Sequence, residues 1–361
     1  MYLMEMIFWL AKLDAKEEGQ MAARPTVSLS SGAGVGQRIQ REPGDEFAVF
    51  TVNRRFIDIQ GAWQEDKRGI VTFVFIGIMF VLQGQFLVGV IVPGVQQMIS
   101  GIGYFGRPLP SDHYVGIPIF ILMWAVANGV FFRFCWRWVR LELFVQRRII
   151  VRFNRVTRQV HINRPACAGG TVTLPWDDAI MEMTGGDLGS RTGDGTLIMG
   201  WSGDRTGAGF DEICMLGGLL DDQGSAEALG EYIRRYMEEG PDAVPRPKRL
   251  RATFPWPWDS VRSTLSFLLP SWRTGDKGLV LSFALLLSPL LLLHSVCHWI
   301  SLLLCWPTWW PRIIRRAGLP GAPVPALTVA EDYGPEIAQK LRASVMKLVK
   351  PSAAADSVSD A

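Results

Sequence analysis

His294 and His298 stand four residues apart, with Cys297 between them, inside an otherwise apolar stretch of this 361-residue chain. On a helix the two imidazoles share a face, which is the spacing of a two-histidine metal or haem site. No carboxylate or third ligand lies nearby, and His113 belongs to a different segment. Two neutral histidines hydrogen-bonded between helices are the preferred reading. The pair stays on record as the metal candidate, because ionisable groups in apolar segments are functional hypotheses by default. A second group is basic: Arg147, Arg148, Arg152, Arg155, Arg158 and Arg164 fall within one short region. Each such charge is worth about 1 kcal/mol against an anionic leaflet, although solvated strand faces are the simpler account. Asp177 and Asp178 are adjacent, so on a strand they point to opposite faces and make a poor acid/base pair. Gly32, Gly34 and Gly36 have no strand before them and no helical pattern after, which leaves a nucleotide-binding reading weak. Four histidines and no nucleophile elbow leave little room for a triad. The chain therefore reads as a non-enzymatic protein without a cofactor.

The elements that position these residues are dominated by membrane-length segments. Ile70–Val95 and Val115–Trp136 are each long enough to cross a bilayer, and no charge falls between Val71 and Val92 or in Val115–Phe132. Arg54, Arg55, Lys67 and Arg68 precede the first segment, and Arg133, Arg137, Arg140, Arg147 and Arg148 follow the second. The intervening loop holds Arg107 alone. That bias predicts a transmembrane hairpin, residues 70–136, with both ends in the cytoplasm. Tyr104, Phe105 and Tyr114 fit an aromatic belt at the outer interface and are candidate partner- or lipid-binding residues. A third apolar segment, 278–306, contains Pro289. Its length favours one span slightly, whereas its basic flanks favour a re-entrant or interfacial course that keeps the tail cytoplasmic. The Trp- and Pro-rich residues 241–277 before it suit the headgroup boundary.

Composition excludes less. A net charge of +3 does not suggest nucleic acid, and five cysteines without CxxC spacing do not make a disulfide framework. The opening MYLMEMIFWLAKL has no basic region ahead of its apolar run. It is either a short interfacial helix or lies upstream of a start at Met21. Residues 1–45 read as a flexible N-terminal region and 46–69 as a cytoplasmic lead-in. In the basic tail, 307–361, an amphipathic helix over 331–350 is expected to lie on the membrane, a partner or the protein itself.

Between the second and third apolar segments, 137–240 reads as a small cytoplasmic β domain. RLELFVQ, RIIVRF, QVHIN, TVTLPW, DAIMEMT, GTLIMGW and DEICMLGG predict about seven short strands, and Ser225–Glu239 a closing helix capped by Ser225. Strands in that order, closed by one helix, resemble a pleckstrin-homology-like (PH-like) antiparallel β-barrel, with an unrelated β-sandwich as competitor. Trp176 is expected in its core. The fold class expected is thus α+β membrane protein: hairpin, PH-like barrel, third hydrophobic segment.

The order of these pieces, with Asn53-Arg54-Arg55-Phe56-Ile57-Asp58-Ile59 ahead of Arg68-Gly69, Pro175-Trp176 and the Trp/Pro cluster at Cys305–Pro311, resembles a proteobacterial inner-membrane protein family associated with type VI secretion toxin clusters. The resemblance spans most of residues 45–316. It defines no catalytic residues, and the tail after Pro311 departs from the family's short acidic helix. It implies a multi-pass inner-membrane interaction protein, first an immunity protein that neutralises a secreted membrane-acting toxin. The alternative it leaves open is a secretion accessory or signalling protein whose cytoplasmic domain binds a partner. Membrane lipids and a cognate toxin or other secretion-system protein are the partners implied.

Overall fold

The computed structural model describes residues 2–13, 33–61, 67–103, 106–184, 195–220, 222–268, 271–272 and 275–349. From the N-terminus the elements are helix α1 (Leu3–Leu13) and strands β1 (Ala33–Gly34), β2 (Val49–Val52) and β3 (Phe56–Gln60). An apolar helical run follows, α2 (Ile70–Ile78), α3 (Gly84–Phe86) and α4 (Val92–Ser100), joined by π-helical turns at Met79–Gln83 and Leu87–Ile91; then comes α5 (His113–Val139). Strands β4 (Ile150–Asn154), β5 (Gln159–Asn163), β6 (Thr171–Pro175), β7 (Ile180–Thr184) and β8 (Gly195–Trp201) lead to a short α6 (Gly203–Thr206), β9 (Glu212–Leu220) and α7 (Gln223–Glu238). The remainder is α8 (Pro257–Leu265), α9 (Lys277–Leu286), α10 (Ser288–Leu303), α11 (Arg312–Arg316) and α12 (Pro335–Val349).

The strands form two antiparallel sheets, ordered β2-β3-β4-β5-β6 and β1-β7-β8-β9. Alternation decides their faces. Ile57, Ile59, Val151, Phe153, Val160, Ile162, Val172 and Leu174 all turn to one side of the first sheet and are fully buried. Helix α7 closes that core with Leu229, Tyr232, Ile233 and Tyr236 against Trp176 and Trp201. Burying each large apolar side chain contributes about 2 kcal/mol of transfer free energy. The Asp222 carboxylate caps α7 by accepting from the Ser225 N–H at 2.7 Å, so Ser225 lies within the first turn and is not the cap.

This architecture corrects the expected barrel. Both sheets are open, and among the described residues one bridge, Gly61 to Leu216, joins them. Two of the first sheet's strands, β2 and β3, come from before the apolar helices, which are inserted between the paired neighbours β3 and β4. RLELFVQ is not a strand. Its alternation reflects burial of Leu141, Leu143 and Val145 in a turn, and Phe144 at φ 54° breaks any extended run.

The expected pair of equivalent spans is also corrected. Among the described residues, one helix, His113–Trp136, is long and apolar enough to cross a membrane. The run 70–100 packs beside it, through Phe75 on Phe132 and Phe86 on Phe120 and Trp124, but its α-helix is interrupted twice. The second π-helical turn lies just ahead of Pro93, whose missing N–H and bulky ring disturb the regular ladder. The third apolar segment is two helices, α9 and α10, bent by 74°. The break falls at Leu287, and Pro289 sits harmlessly in the first turn of α10. Finally, α12 lays Ala338 and Leu341 into the domain's own core beside α1, whose Trp9 meets Tyr333.

Candidate functional site

Three apolar elements reach the domain at one point, where α2 begins and α5 and α10 end. Arg68 sits there, buried. Its Nε donates to Ser301 Oγ at 3.1 Å, and Nη2 donates to the Glu142 carbonyl and to Cys305 Sγ, both at 2.9 Å. The Arg147 carbonyl accepts from its Nη1. The buried Glu142 carboxylate accepts from the Thr72 N–H and hydroxyl, each at 3.0 Å, and from the Val71 N–H at 3.3 Å. It thereby satisfies orphan donors at the start of α2 and faces the positive end of that helix. Gly69, at φ 98°, lets α2 start hard against α10, since a Cβ there would lie 2.7 Å from the His298 nitrogen.

The histidine pair lies one turn further along. His298 Nδ1 is 2.9 Å from Ser260 Oγ, and His294 Nδ1 is 3.0 Å from Thr264 Oγ1. Ser260 and Thr264 belong to α8, and both are buried. The result is a polar seam between α8 and α10, continued to Arg68 because Ser301 Oγ donates to the His298 carbonyl at 2.7 Å. Among the described residues no three His, Cys, Asp or Glu side chains gather as metal ligands. This arrangement can hold helices in register; it offers a metal only two nitrogens.

A second polar assembly went unread in the sequence. Asp58, Arg152, His161 and Thr173 are register partners across β3, β4, β5 and β6, on the face opposite the apolar core. Arg152 pairs bidentately with Asp58 at 2.7 and 2.8 Å and is sandwiched between the rings of Phe56 and Trp310. His161 Nδ1 lies 3.0 Å from Thr173 Oγ1. Burial first, then the charge of Arg152, push the imidazole down to about 3. The row is covered by the strap 305–330, which delivers Trp310 and Ile314 onto Phe50 and Ile150 and pins itself through Thr328 to Thr173. Its sequence signal is a polar residue at the centre of each strand, flanked by apolar neighbours.

Arg147, Arg148, Arg158 and Arg164 are likewise engaged internally. Arg147 donates to the carbonyls of Leu302, Thr253 and Cys305, and Arg148 to that of Ala252. Arg158 pairs with Asp177 and Glu238, and Arg155 lies against Gly240. Arg164 and Lys12 both grip the buried Glu212, at 2.9 and 3.0 Å. Burial alone raises that carboxyl, but the two cations outweigh it and hold it down at about 2. Tyr114 is exposed in the first turn of α5, whereas Tyr104 and Phe105 lie outside the described residues.

At the end remote from the domain, α4 and the first turns of α5 frame an open groove of about 330 Å³. Val90, Gly94, Ile117 and Phe120 line it, with Asp112 and His113 at one end. Compared with protein-family models, with curated proteins and with solved structures, the chain matches none.

Proposed function

We propose that this chain is a bacterial inner-membrane interaction protein, acting as an immunity protein against a secreted, membrane-acting toxin. The observation that carries the membrane seat is α5: none of its apolar window is buried within the protein. Such a surface is costly in water and favourable in lipid. Because β3 and β4 pair directly, a chain that crosses through α5 must also return. The π-interrupted run 70–100 packs beside α5 and belongs to the same insertion between the two strands. The excess of basic residues at the domain end supports a cytoplasmic side for that end. The first turn of α5 and the groove between Gly94 and Ile117 then face the outer leaflet, where a toxin inserting from outside is met first.

The test is growth and membrane potential in cells expressing the toxin encoded beside this gene. Co-expression of this protein should restore both, and Gly94→Leu, which fills the groove, should abolish rescue while leaving membrane insertion intact. Absence of rescue by the well-inserted parent protein overturns the immunity reading. A stable complex formed with the toxin before export would instead favour a secretion accessory that binds through the α+β domain.

A further inference from the structure

The basic residues that remain outward-facing lie elsewhere. In the strap segment 306–316, Trp310 and Ile314 turn inward and fix the segment to the first sheet. Arg312, Arg315 and Arg316 turn outward, and among the described residues none has an acidic partner. Three exposed apolar side chains interleave with them: Trp306 at 53 %, Trp309 at 70 % and Ile313 at 45 % exposure. The segment starts where α10 ends, and Trp306 bonds through its backbone to Val145 and Arg147, beside the buried Arg68. It is therefore held at the level where the apolar helices meet the domain.

We propose that residues 306–316 form a docking surface for the anionic headgroups of the membrane leaflet. The charge is complementary, since three exposed guanidinium groups face a surface of phosphates, which they can bind bidentately. The indoles and Ile313 suit the boundary, where an apolar body enters and the indole N–H stays in polar surroundings. The rigid inward anchors matter as well. The surface is pre-formed, so little ordering entropy opposes binding. This inference rests on the membrane seat proposed above and adds a lipid preference to it.

The experiment uses the full-length protein in nanodiscs of phosphatidylcholine containing roughly a quarter phosphatidylglycerol. Bound lipid retained on transfer to mild detergent is counted by native mass spectrometry. The parent protein should retain phosphatidylglycerol over phosphatidylcholine. The triple variant R312Q/R315Q/R316Q should lose that preference by about five-fold per arginine removed, and the corresponding triple lysine variant should keep most of it. These side chains are exposed, so unchanged thermal unfolding checks that the fold persists. Equal retention of both lipids by the parent, or an undiminished preference in the triple glutamine variant, overturns the proposal. Failure of the protein to fractionate with membranes at all would instead overturn the membrane seat, which separates the two claims.

Discussion

Arg68 and Glu142 are joined through the backbone and not as an ion pair: the guanidinium takes the Glu142 carbonyl at 2.9 Å, while the carboxylate reaches Thr72 at 3.0 Å. One residue thus ties the turn after α5 to α10, and the other ties it to the start of α2. The apolar helices are thus tied to the domain through these two side chains.

Arg68→Ala should therefore be among the most destabilising single changes. It takes the guanidinium donor from the Arg147 carbonyl and leaves the Glu142 carbonyl with the weak Cys305 thiol donor, each lost partner costing about 1–3 kcal/mol. Arg68→Lys should recover only part of the loss, because an ammonium lacks the planar fork that reaches several acceptors. Thermal unfolding in detergent measures both. Parent-like stability of the alanine variant would show that the junction is peripheral.

At Glu142 the charge and the hydrogen bonds separate. Glu142→Gln keeps one carbonyl acceptor for Thr72 but removes the anion from the helix start, at a cost of roughly 0.3–2 kcal/mol. Glu142→Ala should cost more, since the orphan donors of α2 lose their partner as well. The ordering of the two melting temperatures checks this.

His161 gives the domain a pH dependence. Its folded value of about 3 lies below the ordinary 6.5, so the folded state resists protonation. Above pH 6.5 the group contributes nothing further. As the pH falls from about 6.5 towards 3 the unfolded chain takes up the proton first and stability declines. His161→Gln should flatten the unfolding free energy across that window. An unchanged slope would mean that the imidazole is readily protonated in place.

The buried trio Lys12, Arg164 and Glu212 adds a second, more acidic window. The carboxyl is held at about 2 against an ordinary 4.5, so its contribution is complete above 4.5 and is lost as the pH falls towards 2. Glu212→Gln leaves two buried cations short of an anion, and about 3–5 kcal/mol should be lost at neutral pH. Urea titration at pH 7 and pH 3 distinguishes this from a packing defect, because only the charge effect shrinks at the lower pH.

Strand periodicity made β4 to β9 legible, in runs such as IVRFN and QVHIN; the same pattern in RLELFVQ misled, since burial of Leu141, Leu143 and Val145 in a turn imitates a strand face. That the sheets stay open was not legible. It depended on which strands pair across a long insertion, and local pattern carries no record that Phe56–Gln60 returns to Ile150–Asn154. Basic residues were counted correctly and their surroundings were not. Arg152 and Arg164 look solvated in sequence, yet their carboxylate partners, Asp58 and Glu212, are distant in the chain. Spacing put the two histidines on one face, and the hydroxyls of Ser260 and Thr264 meet them there.

The central proposal is that α5 carries its N-terminal end, at Asp112, across the bilayer from the domain. Labelling with a membrane-impermeant maleimide tests this in intact cells, using single additions Asp112→Cys and Asp177→Cys compared with the parent. Asp112 lies at the far end of the helices, and Asp177 is exposed on the domain. The account predicts labelling above the parent level at position 112 in intact cells, and at position 177 only after lysis. Equal labelling of both before lysis, or protection of position 112 until lysis, would contradict it.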